Sequence, residues 1–149
     1  MGNKPRRGTF APMIYIERKE RFSAAHQLYN PQWSEEQNRT VFGKCANQNF
    51  HGHNYTLIVT VKGEINPDTG FVMNLSDLKK LIQEKVIEKV DHANLNHDVD
   101  FLQGKFTSTE VLAQEIFHLL APDIAAHGCA LHRIRLVETH NNAVEYFGD

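Results

Sequence analysis

Two histidines separated by a single residue, His51 and His53, are the first candidates in this sequence for binding a metal ion. The residues that follow them, 55–61, are mostly apolar, aromatic or β-branched, which predicts a β-strand. If this strand begins at or just before His51, its two-residue period places both imidazoles on the same face of a sheet. Two such imidazoles can bind one metal ion, although paired histidines at the exposed edge of a core have the same spacing.

His26 is the candidate for the third ligand, because a catalytic zinc ion usually takes three protein ligands and keeps a fourth position open. It lies near the end of a β-rich segment, and the small residues 23–25 before it leave space around its ring. If His26, His51 and His53 converge, they form a three-nitrogen site that can polarise a substrate oxygen. Five further histidines are interpreted as surface or packing residues: His97, His118, His127, His132 and His140.

Cys45 precedes the histidine pair by six residues, and two roles for its thiol are open. It can act as the fourth ligand and close a structural Cys-His₃ site, or it can stay off the metal and act as a nucleophile or base. The second role requires a thiolate, and a free cysteine, with a pKa of about 8.5, needs a cationic neighbour to ionise near neutral pH. The adjacent residues Asp91 and His92 offer such an imidazole, oriented by a carboxylate.

The strands that must position these residues follow from composition and turn signals. Residues 13–28 predict a first strand that ends near His26, and a long connection, 29–44, then leads to Cys45. Within that connection, Ser34-Glu35-Glu36-Gln37 has the form of a capping box and predicts a short helical turn. The second strand runs to about residue 65, before the turn sequence Asn66-Pro-Asp-Thr-Gly70. Two later strands are predicted at 130–138 and 143–147.

Two helices are predicted between the second and third strands. The first is capped by Asn74 or Ser76 and ends near Val90. Its apolar stripe is Leu78, Leu81, Ile82, Val86 and Val90. The second begins at a capping box formed by Thr107 and Glu110 and is closed by Pro122. Its stripe is Leu112, Ile116, Leu119 and Leu120.

The order β-β-α-α-β-β predicts an α+β fold, a four-stranded antiparallel sheet with two helices on one face. Residues 1–12 lack periodicity and are predicted to be a disordered tail, which leaves 13–149 as a single domain. The long strands leave open sheet edges, and such edges pair with another copy of the chain unless they are covered. An oligomer closed through its sheets is therefore compatible with the pattern.

Composition and charge exclude several classes of protein. The chain has 149 residues, of which 41% are hydrophobic and 23% charged, as in ordinary globular domains. A net charge of −2 predicts neither nucleic-acid binding nor attachment to a membrane surface. No apolar run reaches the roughly 18 to 20 residues that span a bilayer, and no signal peptide is visible. The two cysteines, Cys45 and Cys129, are too few for a disulfide framework, so the expected location is the reducing cytoplasm.

The segments Phe22-Ser-Ala-Ala-His26 and Cys45-x₅-His51-Gly-His53 together resemble the zinc and thiol signature of the 6-pyruvoyl-tetrahydropterin synthase family. The similarity spans essentially the whole chain after the tail, with the motifs in the family's order. It continues through Gly70-Phe-Val-Met-Asn-Leu-Ser-Asp-Leu-Lys79, Asp91-His-Ala-Asn-Leu95, Thr107-Ser-Thr-Glu110 and Glu138-Thr-His-Asn-Asn142.

This resemblance implies the tetrahydropterin-synthase fold, in which the sheets of a trimer close into a barrel and two trimers stack as a homohexamer. It implies one zinc ion per subunit on His26, His51 and His53, contacting the side-chain hydroxyls of 7,8-dihydroneopterin triphosphate. The implied activity is that of a lyase in tetrahydrobiopterin biosynthesis. It eliminates triphosphate and shifts hydrogen within the substrate to give 6-pyruvoyl-tetrahydropterin, and magnesium assists with the triphosphate.

The resemblance also implies roles for the other residues of the site. Cys45 is the general base that moves protons on the substrate side chain, and Asp91 and His92 complete the relay, supplied by a neighbouring subunit. Glu138 anchors the guanidine-like edge of the pterin ring, because that edge suits a carboxylate. Thr109 and Glu110 help to line the same pocket. The triphosphate needs positive partners, and three basic residues lie near in sequence: Arg21, Arg39 and Lys44.

Two alternatives accompany this interpretation. The same fold includes 6-carboxy-tetrahydropterin synthase of queuosine biosynthesis, whose bacterial members tend to have a shorter Cys-x₃-His-Gly-His motif and a shorter segment before the cysteine. The long forms in this sequence favour the pyruvoyl branch. The alternative from another class is a non-catalytic zinc-binding oligomer, in which Cys45 closes the metal shell.

Overall fold

The computed structural model describes residues 11–149, so the predicted tail, residues 1–12, lies outside the described residues except for its last two. Five strands and four helices follow, joined by 3₁₀ turns at Gly43–Ala46 and Asp100–Leu102. The strands are β1 (Ile14–His26), β2 (His51–Gly63), β3 (Ala93–Asn94), β4 (Ala130–Val137) and β5 (Ala143–Tyr146). The helices are α1 (Glu35–Phe42), α2 (Leu75–Ile82), α3 (Glu88–Val90) and α4 (Thr109–Ala125), with a π-helical turn at Gln83–Ile87 joining α2 to α3.

The fold is α+β, as predicted, but its sheet is mixed rather than wholly antiparallel. It has five strands in the order β3-β1-β2-β4-β5, and β3 pairs with β1 in parallel. The prediction of a four-stranded antiparallel sheet was therefore wrong in strand number and in direction. Strand β3 is only two residues long, Ala93 and Asn94 beside Ala24 and Ala25, and two residues carry no periodicity that a sequence pattern could reveal.

The pairing of β1 with β2 positions the residues that could do chemistry. These strands run antiparallel over thirteen residue pairs, from Ile14 opposite Gly63 to His26 opposite His51. The long connection of residues 27–50, which contains α1, returns the chain to the same end of the sheet. The end of β1 and the start of β2 therefore lie side by side at one edge of the core.

One face of the sheet is buried under α2, α3 and α4, and its residues alternate along each strand with exposed ones. The predicted helix stripes form most of the opposing layer. Leu78, Ile82, Val86 and Val90 are fully buried, as are Leu112, Ile116 and Leu120. Leu81 and Leu119 lie at the margin and are only partly buried. No described helix combines the length and apolarity that a bilayer crossing needs.

The helix starts follow the predicted capping residues with one exception. Ser34 caps α1, accepting a hydrogen bond from the Gln37 amide, and Asn74 caps α2. For α4, however, the cap is Ser108, which accepts from the Val111 amide. The predicted cap, Thr107, is almost fully buried and bonds elsewhere. Pro122 also does not close α4, because the helix continues through it to Ala125.

Candidate active site

Three imidazoles meet where β1 ends and β2 begins. His26 is the last residue of β1 and lies opposite His51, the first residue of β2. His53 follows two residues later and projects from the same face of the strand. One ligand nitrogen from each ring lies within 4.8 Å of the others, so these three residues of the described chain could hold a metal ion. The three histidines selected from the sequence therefore converge.

The hydrogen bonding of the three rings fits a metal ion. The Nε2 atoms of His26 and His53 and the Nδ1 atom of His51 are buried and have no hydrogen-bond partner within residues 11–149. Buried polar atoms in folded proteins nearly always have a partner, so three orphaned nitrogens facing one point need an explanation. The other nitrogen of His26, Nδ1, lies 2.7 Å from the backbone oxygen of Thr107 and donates to it. That bond assigns the lone pair to Nε2, the arrangement that metal-ligating histidines commonly have.

The environment of His26 and His51 favours their neutral forms, and a neutral imidazole is the form that binds metal. Burial is the main cause that lowers the pKa of His26 below 6.5, although its bond to the Thr107 carbonyl opposes the shift. Burial also lowers the pKa of His51, and repulsion from His26 and His53 adds to the effect. These two imidazoles are therefore favoured in the neutral form before any ion binds.

We expect the metal-free protein to lose stability as the pH falls below 6.5, the value for a histidine in the unfolded chain. Because His26 and His51 have lower pKa values when folded, the unfolded chain binds more protons in this range. Their stabilising contribution is complete above pH 6.5 and is lost as the pH falls through the lowered values. Melting temperatures of chelator-treated protein should drop by several degrees between about pH 7.5 and about pH 5.5.

The matched controls for this pH profile are two single variants. His51→Gln should flatten the profile, whereas His127→Gln, which removes an exposed imidazole far from the cluster, should leave it unchanged. Asp91 and Asp100 also have lowered pKa values, but their effects fall below pH 3.8 and so outside this window. A profile that is flat in the unmodified protein would contradict the prediction.

Glu138 lies beside the histidines and is held by the start of α4. Its Oε1 atom is 3.9 Å from His53 Nε2. Its Oε2 atom accepts a hydrogen bond from the hydroxyl of Thr109, a buried residue at the first position of α4. One carboxylate oxygen is thus tied down, and the other remains free to accept N–H groups of a ligand.

A cleft of about 740 Å³ opens beside this cluster. His53, Tyr55, Asp91 and Glu138 all line it, together with Arg21. The structure therefore brings together, within a single chain, one of the three histidines, the predicted pterin anchor and one member of the predicted relay. Glu110 is exposed and lines a separate groove next to Glu138.

Asp91 and His92 are oriented by β1 but differ in exposure. The backbone amide of Ser23 donates to Asp91 Oδ1 at 2.9 Å, and this bond is the main cause that lowers the pKa of Asp91. His92 Nδ1 lies 3.1 Å from the same oxygen. The backbone of His92 has a left-handed φ of 58°, and its side chain is 83% exposed. Its imidazole is therefore open to solvent, and it lines a second groove together with His53.

Cys45 lies in the 3₁₀ turn Gly43–Ala46, and its backbone oxygen accepts a hydrogen bond from the Leu28 amide at 2.8 Å. Its sulfur is not part of the group of side chains that could hold a metal. It also does not line the cleft beside His53. The described residues therefore give no support to a closed Cys-His₃ shell, and they leave the thiol outside the cleft of a single chain.

Sequence analysis missed several residues of the site. Tyr55 continues the two-residue period of His51 and His53, so the strand pattern could have revealed it. Its hydroxyl is buried without a partner, and burial together with the nearby Glu138 raises its pKa. Asn96 had no signal in the sequence, and Thr107 was named only as a helix cap and within a family motif. Their contacts at the end of β1 were missed because the partners are 69 and 80 residues away.

The geometry defines an α+β protein with a three-histidine metal-type site and a carboxylate at the edge of a cleft. The sequence model of 6-pyruvoyl tetrahydropterin synthase matches residues 15–149. The chain is 43% identical over 134 residues to human 6-pyruvoyl tetrahydrobiopterin synthase, covering 90% of this chain and 91% of the relative. It is 41% identical over 136 residues to that of Dictyostelium discoideum, with 91% and 97% covered.

Solved structures agree with this similarity. The structure of Caenorhabditis elegans 6-pyruvoyl tetrahydropterin synthase superposes with a TM-score of 0.86 at 37% identity, covering 93% of this chain and 98% of the other. This chain belongs to the 6-pyruvoyl tetrahydropterin synthase family.

Proposed function

We propose that this protein is a zinc-dependent lyase that converts 7,8-dihydroneopterin triphosphate to 6-pyruvoyl-tetrahydropterin and releases triphosphate. The observation that carries the proposal is the set of three buried, unpartnered imidazole nitrogens beside Glu138, in a chain that belongs to this family along nearly all of its length. The relatives that bear this activity in their names match over nine tenths of the chain.

His26, His51 and His53 would hold the zinc ion, one per subunit. When bound, zinc supplies Lewis-acid chemistry to a substrate oxygen. The choice of zinc is supported by the donor set, because three imidazoles with an open fourth position are typical of catalytic zinc sites. Burial lowers the pKa of His26 and of His51, which keeps the nitrogens of these two rings available at neutral pH.

Cys45 is proposed as the general base that moves protons on the substrate side chain, with Asp91 and His92 completing the relay. The exposure of His92 supports a partner role, because its imidazole is free to contact a neighbouring subunit. Asp91 Oδ1 lies 3.1 Å from Nδ1 of that imidazole and would orient it. A relay shared between subunits would make the oligomer a requirement for turnover.

Glu138 is proposed to bind the pterin ring, with Thr109 and Glu110 at the margin of the pocket. The guanidine-like edge of a pterin presents neighbouring N–H donors, and a carboxylate accepts these in charge-assisted hydrogen bonds. Thr109 restrains the Glu138 carboxylate through its hydroxyl, so less side-chain freedom is lost when the ring binds. Glu110 is exposed and would act at the outer rim.

Arg21 is the favoured candidate of the three basic residues for the triphosphate. It lines the cleft beside His53 and has no ion-pair partner among the described residues. Arg39, by contrast, lies 3.7 Å from Glu35 on the exposed side of α1. Lys44 lies in the turn that contains Cys45. Magnesium would assist by neutralising triphosphate charge, as it does for phosphate groups generally.

We also propose a domain organisation, an oligomeric state and a cellular location. Residues 13–149 would form a single domain, three copies would close their sheets into a barrel, and two trimers would form a homohexamer in the cytoplasm. The open sheet edges support an assembly, because exposed strand edges invite pairing with another copy of the chain. The exposed face of the sheet carries ion pairs that join neighbouring strands within one chain. Arg133 contacts Glu17 at 2.8 Å and Glu145 at 3.0 Å.

Incubation of the purified protein with 7,8-dihydroneopterin triphosphate and magnesium tests the reaction. We expect stoichiometric release of triphosphate and a pterin product of the mass of 6-pyruvoyl-tetrahydropterin, with no external reductant. Separation by liquid chromatography and mass spectrometry measures both. The matched control is protein treated with a zinc chelator, which should be inactive and should recover activity when zinc is returned.

The same assay separates the alternatives. A carboxy-pterin with release of acetaldehyde would assign the protein to 6-carboxy-tetrahydropterin synthase. Zinc bound at the site without any turnover would support the non-catalytic zinc-binding oligomer.

A further inference from the structure

The chain immediately after His26 is held by the side chain of a distant asparagine. The backbone amide of Gln27 donates to Asn96 Oδ1 at 2.9 Å, and Asn96 Nδ2 donates back to the backbone oxygen of Gln27 at 3.0 Å. One amide side chain thus satisfies both backbone groups of the residue next to His26. The Leu95 amide donates to the oxygen of Ala25, next to the paired residues of β1 and β3. The two bonds of Asn96 extend this pairing past His26, the last residue of β1.

Thr107 joins this contact to the imidazole itself. Its hydroxyl lies 3.1 Å from Asn96 Oδ1 and 3.3 Å from the backbone oxygen of Gln27. Its backbone oxygen accepts the 2.7 Å bond from His26 Nδ1. Thr107 is 1% exposed, so these bonds form in a buried environment where an unpaired polar group is costly.

Asn96 and Thr107 therefore restrain different parts of His26. The Asn96 clamp on Gln27 restrains the backbone from which His26 projects, and the Thr107 carbonyl restrains the ring and selects its tautomer. With Nδ1 donating, the lone pair of Nε2 faces the nitrogens of His51 and His53. A shift of this backbone would separate Nε2 from the other two nitrogens and weaken any shared ligand bond.

We propose that Asn96 and Thr107 are positioning residues of the metal centre, which set the place and tautomer of His26 through Gln27 and the Thr107 carbonyl. Neither residue is a ligand, and neither is in contact with a bound substrate in this proposal. The inference rests on the proposed metal site and not on the proposed reaction. Its consequence is a change in metal affinity, which can be measured without turnover.

The experiment measures the zinc dissociation constant of the purified oligomer by competition with a chromogenic chelator. Asn96→Ala should weaken zinc binding about 10- to 100-fold, as loss of outer-shell partners commonly does. Thr107→Val removes the hydroxyl but keeps the backbone carbonyl and the side-chain shape, and we expect about 10-fold weaker binding. Thr107→Ser restores the hydroxyl and should return the constant to within about twofold of the unmodified protein.

Asn38 provides a matched control, because it makes the same two-way clamp elsewhere. It accepts from the Asn30 amide at 2.7 Å and donates to the Asn30 oxygen at 2.9 Å, and it is fully buried. Asn38→Ala therefore removes an equivalent clamp from the loop before α1. It should lower thermal stability but leave the zinc constant within about twofold.

Each outcome decides the inference. Unchanged zinc affinity in folded Asn96→Ala and Thr107→Val would overturn it, as would equal weakening in Asn38→Ala. If Asn96→Ala fails to fold, the Thr107→Val and Thr107→Ser pair gives the decision alone. If the unmodified protein binds no zinc, the proposed metal site fails and the inference fails with it. Zinc binding that follows these predictions in a protein without turnover would support the inference and refute only the proposed reaction.

Discussion

Replacing His51 by alanine is expected to lower the zinc content of the purified protein from about one ion per subunit to nearly none. The remaining pair, His26 and His53, would supply only two nitrogens, and protein sites hold zinc firmly with three or four ligands. Activity should fall with zinc content, because the metal chemistry is lost. Elemental analysis of the protein after dialysis, together with circular dichroism, measures the loss and verifies the fold.

The control for this prediction is His127→Ala, since His127 is exposed and its ring bonds the backbone oxygen of Asp123. That variant should keep its zinc and its turnover. Undiminished zinc in His51→Ala would remove His51 from the ligand set. Because burial already lowers the pKa of His26, protonation of that ring would not be the reason for the loss.

Replacing Cys45 by alanine is expected to lower kcat by about 10²- to 10⁴-fold, the usual effect of losing a general base, while zinc and the oligomer persist. The physical reason is that the sulfur lies outside the metal-binding group, so the three imidazoles keep their ligand set without it. Steady-state kinetics, zinc analysis and size-exclusion chromatography on the same preparation measure the three quantities.

Cys129→Ala is the matched control, because it removes the other thiol of the chain. Cys129 lies just before β4, where its side chain packs against the core and its sulfur donates to the backbone oxygen of Ile124. This variant should keep kcat within about twofold, as substitutions away from a site usually do. Loss of zinc in Cys45→Ala would instead favour the metal-binding role of the thiol, and retained turnover would remove it from the catalytic residues.

Local features of the fold could be predicted because their causes lie within a few residues of one another. The caps Ser34 and Asn74 bond amides two or three residues away, and the helix stripes arise from a period of 3.6. The shared face of His51 and His53 follows from the two-residue period of β2. The capping prediction failed at Thr107, because this residue and its neighbour Ser108 are both good caps. Thr107 is engaged in tertiary hydrogen bonds, and Ser108 caps the helix.

The order of the main elements, the three histidines and the family follow from the amino-acid sequence alone, since period, spacing and motif are all local properties of the chain. The folded structure was needed to find that β3 adds to β1 in parallel, that Thr109 bonds Glu138, and that Thr107 orients His26. The last of these contacts joins residues 81 positions apart. Such contacts depend on how the helices pack on the sheet, and no periodicity in the sequence reports that packing.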